Sequence, residues 1–229
     1  MHLDPDFLQT LWLSFKLASI TTLILLPIGI ILGYYLAYSN HKIKIVLETL
    51  IWMPLILPPT VLGFYLLLSF SPNYFFGDFL KKYFGIQLAF SFSGIVIGSI
   101  IFSLPFMINP IKNALQNLPD NLKEASYTLG KGRIYTLLFV LLPNITSSIL
   151  LAIITTFAHT IGEFGVVMMI GGDIAGVSRV ASIAIYTQAE QLNYPIAHSY
   201  ALILSITSFI LLFIVIFINH KLHNNRGLL

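Results

Sequence analysis

Five long stretches of the chain contain no Asp, Glu, Lys or Arg. They cover residues 17–41, 49–77, 83–111, 134–162 and 191–220, so each has at least 25 residues. A helix needs about 20 apolar residues to cross the hydrocarbon core of a bilayer. Only 9% of the chain is charged and 57% is hydrophobic, against about 25% and 45–50% in a soluble domain. The chain is therefore predicted to be an integral membrane protein.

Lipid restricts the fold of such a chain, because backbone N–H and C=O groups find no water there. Only helices and closed barrels can span a membrane. A barrel needs segments of about ten residues in which apolar and polar side chains alternate, and the apolar stretches here are unbroken. We predict an all-α integral membrane protein with a single domain, residues 1–229. Its five spans are expected at residues 11–38, 46–70, 92–110, 135–156 and 197–219. A sixth segment, 164–172, is too short to cross alone.

The basic residues predict the orientation, since Lys and Arg are enriched in cytoplasmic loops near span ends. Three basic regions follow spans one, three and five. Their members are Lys42 and Lys44, then Lys112, Lys123, Lys131 and Arg133, then Lys221 and Arg226. This pattern predicts an N-terminus outside and a C-terminus in the cytoplasm. Lys81, Lys82 and Arg179 fall outside in this arrangement and count against it.

Several kinds of chemistry lack the residues that they need. The chain has no cysteine, which excludes disulfides and thiolate metal sites. It has no Gly-rich phosphate-binding loop, and its six histidines are scattered without a His-x3-His pair. We therefore predict no cofactor, no metal site and no enzymatic activity. The small net charge of +3 predicts no nucleic-acid partner. Transport would be passive, or driven by an ion gradient or a partner protein.

Three prolines interrupt the second span. Pro54, Pro58 and Pro59 fall within six residues, and each lacks a backbone donor and bends or breaks a helix. Membrane proteins tolerate such breaks where neighbouring helices or a water-filled path satisfy the freed carbonyl groups. The cluster predicts a break that lines a transport pathway, with Pro58 and Pro59 at the break. Ordinary kinking is the alternative for any single proline.

The loop between spans three and four, residues 118–130, has the pattern of a short amphipathic helix. Pro119 suits its first turn, Asp120 suits the positive end of the helix dipole, and Gly130 is a suitable stop. An apolar face follows the i, i+3, i+4, i+7 spacing. Its members are Leu122, Ala125, Ser126 and Leu129. The helix is expected either to rest on lipid or to dock on a second protein.

A longer pattern in this region resembles the signature of ABC importer permeases. Glu124-Ala125-Ser126 is followed after three residues by Gly130, and after nine further residues by Val140-Leu141-Leu142-Pro143. The family pattern is Glu-Ala-Ala-x3-Gly-x9-Ile-x-Leu-Pro, so Ser126 and Val140 are departures. The resemblance implies the fold of a type I ABC importer permease, in which this helix couples the spans to a separate ATPase. It assigns coupling to Leu122, Glu124, Ala125, Ser126, Leu129, Gly130 and Pro143.

Polar residues also gather at the end of span four. Thr155, His159 and Glu163 are spaced i, i+4, i+8 and would share a face of a continuous helix, with Thr156 alongside. Ionisable groups at membrane depth mark a pathway or a buried pair. Hydroxyl and imidazole groups can donate to an oxyanion, whereas a carboxylate repels one. Glu163 is therefore predicted to be structural, either pairing with His159 or accepting backbone N–H groups from Gly165 onward. Hydrogen bonding between helices is the alternative for His159 and the threonines.

Further residues resemble the molybdate permeases within this importer family. They are Gly162-Glu163-Phe164-Gly165, Thr128-Leu129-Gly130 and the stretch 54–65, and the likeness runs from about residue 11 to residue 217. Sulfate permeases carry a similar element, usually with Tyr at the position of Phe164. Relatives often have Arg at the position of His159. A histidine side chain is mostly neutral near pH 7, whereas Arg is positively charged. The pathway candidates are Pro58, Pro59, Thr155, Thr156, His159, Gly162 and Glu163.

This resemblance implies a homodimer in the bacterial cytoplasmic (inner) membrane, in contact with lipid. Two ATPase subunits would bind inside, and a periplasmic or extracellular substrate-binding protein outside. Molybdate is the predicted substrate, with tungstate and sulfate or thiosulfate as alternatives, because molybdate, tungstate and sulfate are all tetrahedral dianions. An ion-coupled secondary transporter would need carboxylates near the membrane midplane, whereas Glu48 and Glu163 lie close to span ends. A pure assembly scaffold would leave the coupling pattern unexplained.

Overall fold

The computed structural model describes residues 5–224 and consists of helices joined by short loops, with no strand in that range. The α-helices are α1 (Pro5–Tyr38), α2 (Ile43–Ile56), α3 (Pro59–Phe70), α4 (Phe75–Phe84), α5 (Phe92–Gln116), α6 (Asp120–Thr128), α7 (Arg133–Thr136), α8 (Leu142–Asn144), α9 (Thr146–Gly162), α10 (Gly165–Gly171), α11 (Ala181–Glu190) and α12 (Tyr194–Asn224). A π-helical turn, Leu137–Leu141, joins α7 to α8. The predicted all-α class is confirmed. Arg226 and the side chain of Lys221, on which the predicted orientation partly depends, lie outside the description.

Three helices, α1, α5 and α12, are long and apolar enough to cross a membrane. Two further crossings result if two bent helix pairs each count as one span, which makes up to five. The first pair is α2 with α3, and the second is the helical run Arg133–Asn144 with α9. The seven residues of α10 are too few to cross. Instead, Val166, Val167 and Ile170 are buried where α10 packs against α3 and α5.

The predicted break in span two is present and sharp, since α2 and α3 are bent by 112°. A residue before proline is disfavoured in the helical conformation. Leu57 and Pro58 are accordingly extended, with ψ angles of 139° and 133°. Pro59 then begins α3, at the position where a missing N–H breaks no intrahelical hydrogen bond. Pro54 stays inside α2.

The region of the predicted fourth span is a pair of helices with a bend that the sequence analysis did not predict. The run Arg133–Asn144 and α9 are bent by 80° at Ile145. Pro143 lies just before the bend, and a proline ring clashes with the carbonyl group four residues earlier. The π-helical turn Leu137–Leu141 has wider hydrogen-bond spacing, which accommodates such a clash. Span four is therefore two helices joined at an angle.

The centre of the bundle is the contact between α1 and α5. A Cβ atom on Gly29 would lie 2.4 Å from Cγ of Met107, and one on Gly33 would lie 3.0 Å from Cγ2 of Ile111. Glycine on α1 thus allows the two helices to approach closely, as small residues do in membrane helix pairs. Met107 and Ile111 have no exposed surface, and Ala152 of α9 joins the same apolar cluster.

The start of α1 shares one end of the bundle with α4 and α11. The ammonium nitrogen of Lys16 lies 4.8 Å from the ring centroid of Phe92, at the start of α5. Arg179 forms an ion pair with Asp173, which accepts a hydrogen bond of 2.9 Å from the hydroxyl group of Thr187 in α11. These contacts tie the loop before α11 to that helix. The predicted coupling helix, α6, lies at the opposite end.

The short helix α6 runs from Asp120 to Thr128, inside the predicted range 118–130. Pro119 directly precedes the helix in an extended conformation, which corrects its predicted place in the first turn. Beside α6, the hydroxyl group of Tyr38 donates a hydrogen bond of 2.9 Å to the carbonyl group of Leu115. This bond ties the end of α1 to the end of α5.

Candidate functional site

One side of α6 packs against its own chain. Ser126 is buried, and its hydroxyl group lies 2.8 Å from that of Thr136 in α7. Leu122, one turn earlier, is half-buried, and the helix contacts α7 and the π-helical turn. The sequence places Ser126 and Leu122 on a surface for a partner. The structure instead turns Ser126 inward, because its hydroxyl group finds a hydrogen-bond partner there, and leaves Leu122 half-buried.

The opposite side of α6 is open. Asn121, Glu124, Ala125 and Thr128 are exposed, and Leu129 just after the helix has 77% of its surface exposed. The contact surface available to a partner is therefore polar at its centre, with Ala125 and Leu129 as its apolar edge. Of the seven predicted coupling residues, Glu124, Ala125 and Leu129 lie on this surface.

Gly130 forms the turn that follows α6. Its φ angle is +73°, a conformation that residues with a Cβ atom rarely adopt. The N–H groups of Gly130 and Lys131 donate to the carbonyl groups of Tyr127 and Ser126, at 2.9 and 3.1 Å. These bonds close the end of the helix in the manner of a glycine cap. Gly130 therefore sets the angle between α6 and α7.

A run of helical turns leads from the turn at Gly130, just after α6, to α9. It passes from α7 through the π-helical turn and α8 to the bend at Ile145. Thr146, the first residue of α9, donates its hydroxyl hydrogen to the carbonyl group of Pro143 at 2.8 Å. Pro143, the last predicted coupling residue, is exposed and lies in this connection rather than on α6.

The far end of α9 borders a cavity of about 580 Å³. Pro59, His159, Gly162 and Glu163, which the sequence predicts as pathway residues, all line it. The remaining lining residues are Thr60, Phe102, Ala158, Phe164 and Gly165. The sequence pattern missed Thr60 and Phe102, although Thr60 directly follows the proline pair. The break in span two and the end of span four thus meet at one cavity.

His159 is held by aromatic rings and one hydroxyl group. Its Nδ1 atom lies 3.0 Å from Oγ of Ser103, which also lies 3.2 Å from Oγ1 of Thr160. The imidazole ring stacks on Phe106, with 4.1 Å between the centroids, and lies 4.7 Å from the ring centroid of Phe102. The predicted pairing of His159 with Glu163 is therefore not present. The Nδ1 side of the ring faces Ser103 instead.

Glu163 does not extend the face of Thr155 and His159, because α9 ends at Gly162 and Glu163 is extended, with ψ of 129°. Its side chain is 3% exposed, and within residues 5–224 neither carboxylate oxygen accepts a hydrogen bond. The predicted backbone donors from Gly165 onward are thus not found either. Glu163 is a buried acid with open hydrogen-bonding capacity.

The remaining pathway candidates are not among the residues that line the cavity. The hydroxyl group of Thr155 donates to the carbonyl group of Leu151 at 2.9 Å and reaches that of Phe106 at 3.3 Å. The contact with Phe106 joins α9 to α5 and agrees with the alternative given for the threonines, hydrogen bonding between helices. Thr156 is buried, and its hydroxyl group has no partner among the described residues. Pro58 is exposed at the break beside the cavity.

An ion pair that sequence spacing does not predict joins two helices near α6. Lys112 of α5 pairs with Glu48 of α2. The side chains are 13% and 28% exposed, so the pair is partly buried between helices. No group of three or more His, Asp or Glu side chains suited to a metal ion occurs in the described part of the chain.

Comparison with known proteins places the chain in a family. Residues 26–226 match the model of the family described as "Binding-protein-dependent transport system inner membrane component". The molybdenum transport system permease protein ModB of Azotobacter vinelandii is 37% identical over 93% of this chain and 94% of its own. ModB of Escherichia coli K12 is 35% identical over 80% of each chain. The sulfate permease CysT of Salmonella typhimurium is 30% identical over 81% of this chain and 66% of its own.

Solved structures share the fold at low sequence identity. A bacterial ABC transporter for alginate import matches with a TM-score of 0.80 and 15% identity, over 96% of this chain and 80% of its own. The MetNI methionine ABC transporter matches with a TM-score of 0.74 and 16% identity, over 94% of this chain and 95% of its own. The fold is therefore that of an ABC importer permease. Together with the family match, this shows that the chain belongs to the family of inner membrane components of binding-protein-dependent transport systems.

Proposed function

We propose that this chain is the permease subunit of an ATP-driven oxyanion importer whose substrate is molybdate. The family and the fold support the transport role. The two molybdenum permeases at 37% and 35% identity support the substrate. Sulfate or thiosulfate, and tungstate, are the alternatives, because a sulfate permease is 30% identical and these anions share charge and shape with molybdate.

The proposed transporter contains two copies of this chain, two ATPase subunits and a substrate-binding protein. It spans the bacterial inner membrane several times, with the N-terminus outside and the C-terminus in the cytoplasm. A solved relative in fold, the alginate transporter, was determined in complex with a periplasmic protein bound to an alginate pentasaccharide. In the proposed arrangement this chain hydrolyses no ATP itself, and the partner ATPase supplies the energy.

The observation that carries the proposal is the exposed side of α6 at the end of the helical run to α9. Leu129 and Ala125 lie open beside Glu124, in a sequence that matches the coupling signature. Buried Ser126 fixes the other side of the helix to Thr136. Docking of the ATPase on the open side would therefore move α6 together with α7, the π-helical turn and α9.

This movement is expected to change the pathway cavity at the far end of α9. His159 and Gly162 belong to α9, whereas Pro59 and Thr60 belong to α3. A shift of α9 relative to α3 widens or narrows the space between them. None of the described residues that line the cavity is Lys or Arg, so a dianion meets donors such as Thr60 and no full positive charge from them. Weak binding of this kind suits passage, and selectivity is assigned to the binding protein.

One observation favours a second candidate, an ion-coupled carrier. Such a carrier needs an intramembrane carboxylate for its coupling ion, and Glu163 is a buried carboxylate without a hydrogen-bond partner among residues 5–224. The surface of α6 and the family match favour the ABC importer instead.

Uptake into proteoliposomes distinguishes the ABC importer from the ion-coupled carrier. The chain is reconstituted with its ATPase and binding protein, and labelled molybdate uptake is measured with ATP alone, then with a proton or sodium gradient alone. We expect uptake with ATP only, and competition by tungstate stronger than by sulfate. Uptake driven by a gradient without ATP would contradict the proposal. Equal or stronger competition by sulfate would reassign the substrate to sulfate.

A further inference from the structure

A second cavity lies between the end of α1, α6 and α7. Its volume is about 660 Å³, larger than that of the pathway cavity. Lys123 of α6 and Arg133 of α7 line it, together with His41 just after α1. None of its described lining residues is Asp or Glu. A cavity whose lining contains Lys and Arg but no acid raises the local concentration of anions.

Tyrosine hydroxyl groups add hydrogen-bond donors to these cations. Tyr34 of α1 and Tyr127 of α6 both line the cavity. Arg133 lines the same cavity as both tyrosines. The ammonium group of Lys123 lies 4.3 Å from the ring centroid of Tyr38. Guanidinium, ammonium and hydroxyl donors around one space are the groups that bind phosphate oxygens in proteins.

One acid lies close enough to weaken this positive charge. A carboxylate oxygen of Asp120 is 4.0 Å from the ammonium nitrogen of Lys123. The side chain of Asp120 is 83% exposed and that of Lys123 is 27% exposed. A pair with such an exposed partner is weak. Lys123 therefore keeps its capacity to bind an anion inside the cavity.

The cavity also has an apolar wall. Ile31, two turns before the end of α1, lines it and is 65% exposed. Ile134, next to Arg133, is 75% exposed. Basic donors at one end and exposed apolar side chains beside them match the two parts of a phospholipid. Basic pockets between helices on the cytoplasmic side of membrane proteins bind anionic headgroups.

We propose that this cavity binds the phosphate group of an anionic phospholipid of the inner leaflet. Arg133 and Lys123 contact its oxygens, Tyr34 and Tyr127 donate hydrogen bonds, and the acyl chains lie along Ile31. The inner-leaflet placement rests on the orientation given under the proposed function. A free phosphate ion offers the same group without acyl chains, so the test separates the two sources.

The bound phosphate joins α1 to the predicted coupling helix. Lys123 and Tyr127 lie on the side of α6 that faces α1, whereas Ala125 and Leu129 lie on the side away from it. The lipid and the ATPase therefore occupy different sides of α6 and can be bound together.

Native mass spectrometry of the full chain, purified with its partners, tests the proposal. Bound phosphatidylglycerol is compared with phosphatidylcholine of the same acyl chains, for the wild type and for Lys123→Gln, Arg133→Gln and the double variant. Each charge removed is expected to weaken phosphatidylglycerol binding about fivefold. Phosphatidylcholine binding is expected to stay weak throughout. Lipid binding is measured for each single variant separately, so the test remains valid if the double variant does not fold.

Lys131→Gln is the matched control. Lys131 is exposed, lies 4.8 Å from the ring centroid of Tyr135 and does not line the cavity. Retention of phosphatidylglycerol by this variant supports the site. If the wild type retains neither lipid but inorganic phosphate raises its melting temperature, and does so less in Arg133→Gln, the ligand is free phosphate. No binding of either, or an equal loss in Lys131→Gln, overturns the proposal. The uptake experiment is independent of this result.

Discussion

At the scale of single residues, buried polar atoms distinguish the interior of this bundle from its lipid-facing surface. Thr160 satisfies its hydroxyl group by donating to the carbonyl group of Thr156, four residues earlier, at 2.9 Å. Other buried side chains lack a partner within residues 5–224: Thr21, Thr22, Ser99, Thr156 and Glu163. The first four belong to α1, α5 and α9, and Glu163 directly follows α9. Groups of this kind in native proteins commonly bind ordered water.

The first prediction concerns Glu163. Glu163→Gln keeps the shape of the side chain and removes an acid that repels a dianion when it is ionised, although burial of the side chain favours the neutral form. We expect molybdate uptake in proteoliposomes to be unchanged or up to about fivefold faster. Glu190→Gln makes the same change at an exposed site on α11, and no effect is expected. Loss of uptake in a Glu163→Gln protein that inserts normally would show that the carboxylate charge is required.

A second prediction concerns the turn at Gly130. Gly130→Ala places a Cβ atom on a residue with φ of +73°, which costs about 1 kcal/mol. We expect the affinity for the ATPase to fall about fivefold, measured by co-purification at graded ATPase concentration. Gly130→Asn should bind better than Gly130→Ala, because Asn tolerates this conformation.

Gly132→Ala serves as the control for this turn. Gly132 has φ of −74°, and no atom lies within 4 Å of a Cβ atom built on it. We expect normal ATPase binding by this variant. Equal binding by Gly130→Ala and the wild type would contradict a role for the turn angle.

At the scale of elements, the bends between helices decide where functional residues meet. The break at Leu57 and Pro58 turns α3 toward α10, and the end of α9 at Gly162 leads into α10. A Cβ atom on Gly165 would lie 2.7 Å from Cβ of Pro59. This close approach of α10 to α3 forms one wall of the pathway cavity.

The third prediction compares two glycines beside the cavity. Gly165→Ala is expected to separate α3 from α10 and to lower the free energy of unfolding by about 1–3 kcal/mol. Gly162→Ala adds the same methyl group where no atom lies within 4 Å of it, so little change is expected. Thermal unfolding in one detergent measures both variants. A similar melting temperature for the two would show that the α3–α10 contact is not tight.

At the scale of the whole molecule, the distribution of apolar surface fits a chain that is covered by lipid and other subunits. Exposed apolar side chains run along α2, α3 and α12, including Ile56 at 80% and Phe209 at 69%. The window of α12 that could cross a membrane is only 11% buried, against 61% for that of α5. Helix α5 is therefore central, and α12 lies at the edge.

The fourth prediction concerns orientation, and the absence of cysteine from the chain allows it to be tested without background labelling. Leu129→Cys places a thiol at the exposed end of α6, and Phe75→Cys places one on α4 at the other end of the bundle, where Phe75 is 89% exposed. A membrane-impermeant maleimide added to intact cells should label Phe75→Cys only. Leu129→Cys should react after the inner membrane is opened, and less so with the ATPase bound. The reverse pattern would overturn the N-outside orientation.

Properties that depend on nearby residues could be predicted from the sequence. The charge-free stretches indicated helical spans, the three prolines indicated the break in span two, and Gly130 indicated the end of α6. Each depends on backbone geometry or transfer to lipid over a few residues, so no knowledge of distant contacts is needed. The coupling signature likewise led to the family that the comparisons confirm.

The tertiary structure decided which surfaces meet. It turned Ser126 toward Thr136, placed His159 against Ser103 and Phe106 rather than Glu163, and bent span four at Ile145. Helical spacing assigns residues to a face but does not say what that face contacts, because a contact depends on residues far away in sequence. The sequence by itself therefore determined that this chain crosses a membrane as helices and to which family it belongs. Only packing decided which polar groups are paired, open or exposed to a partner.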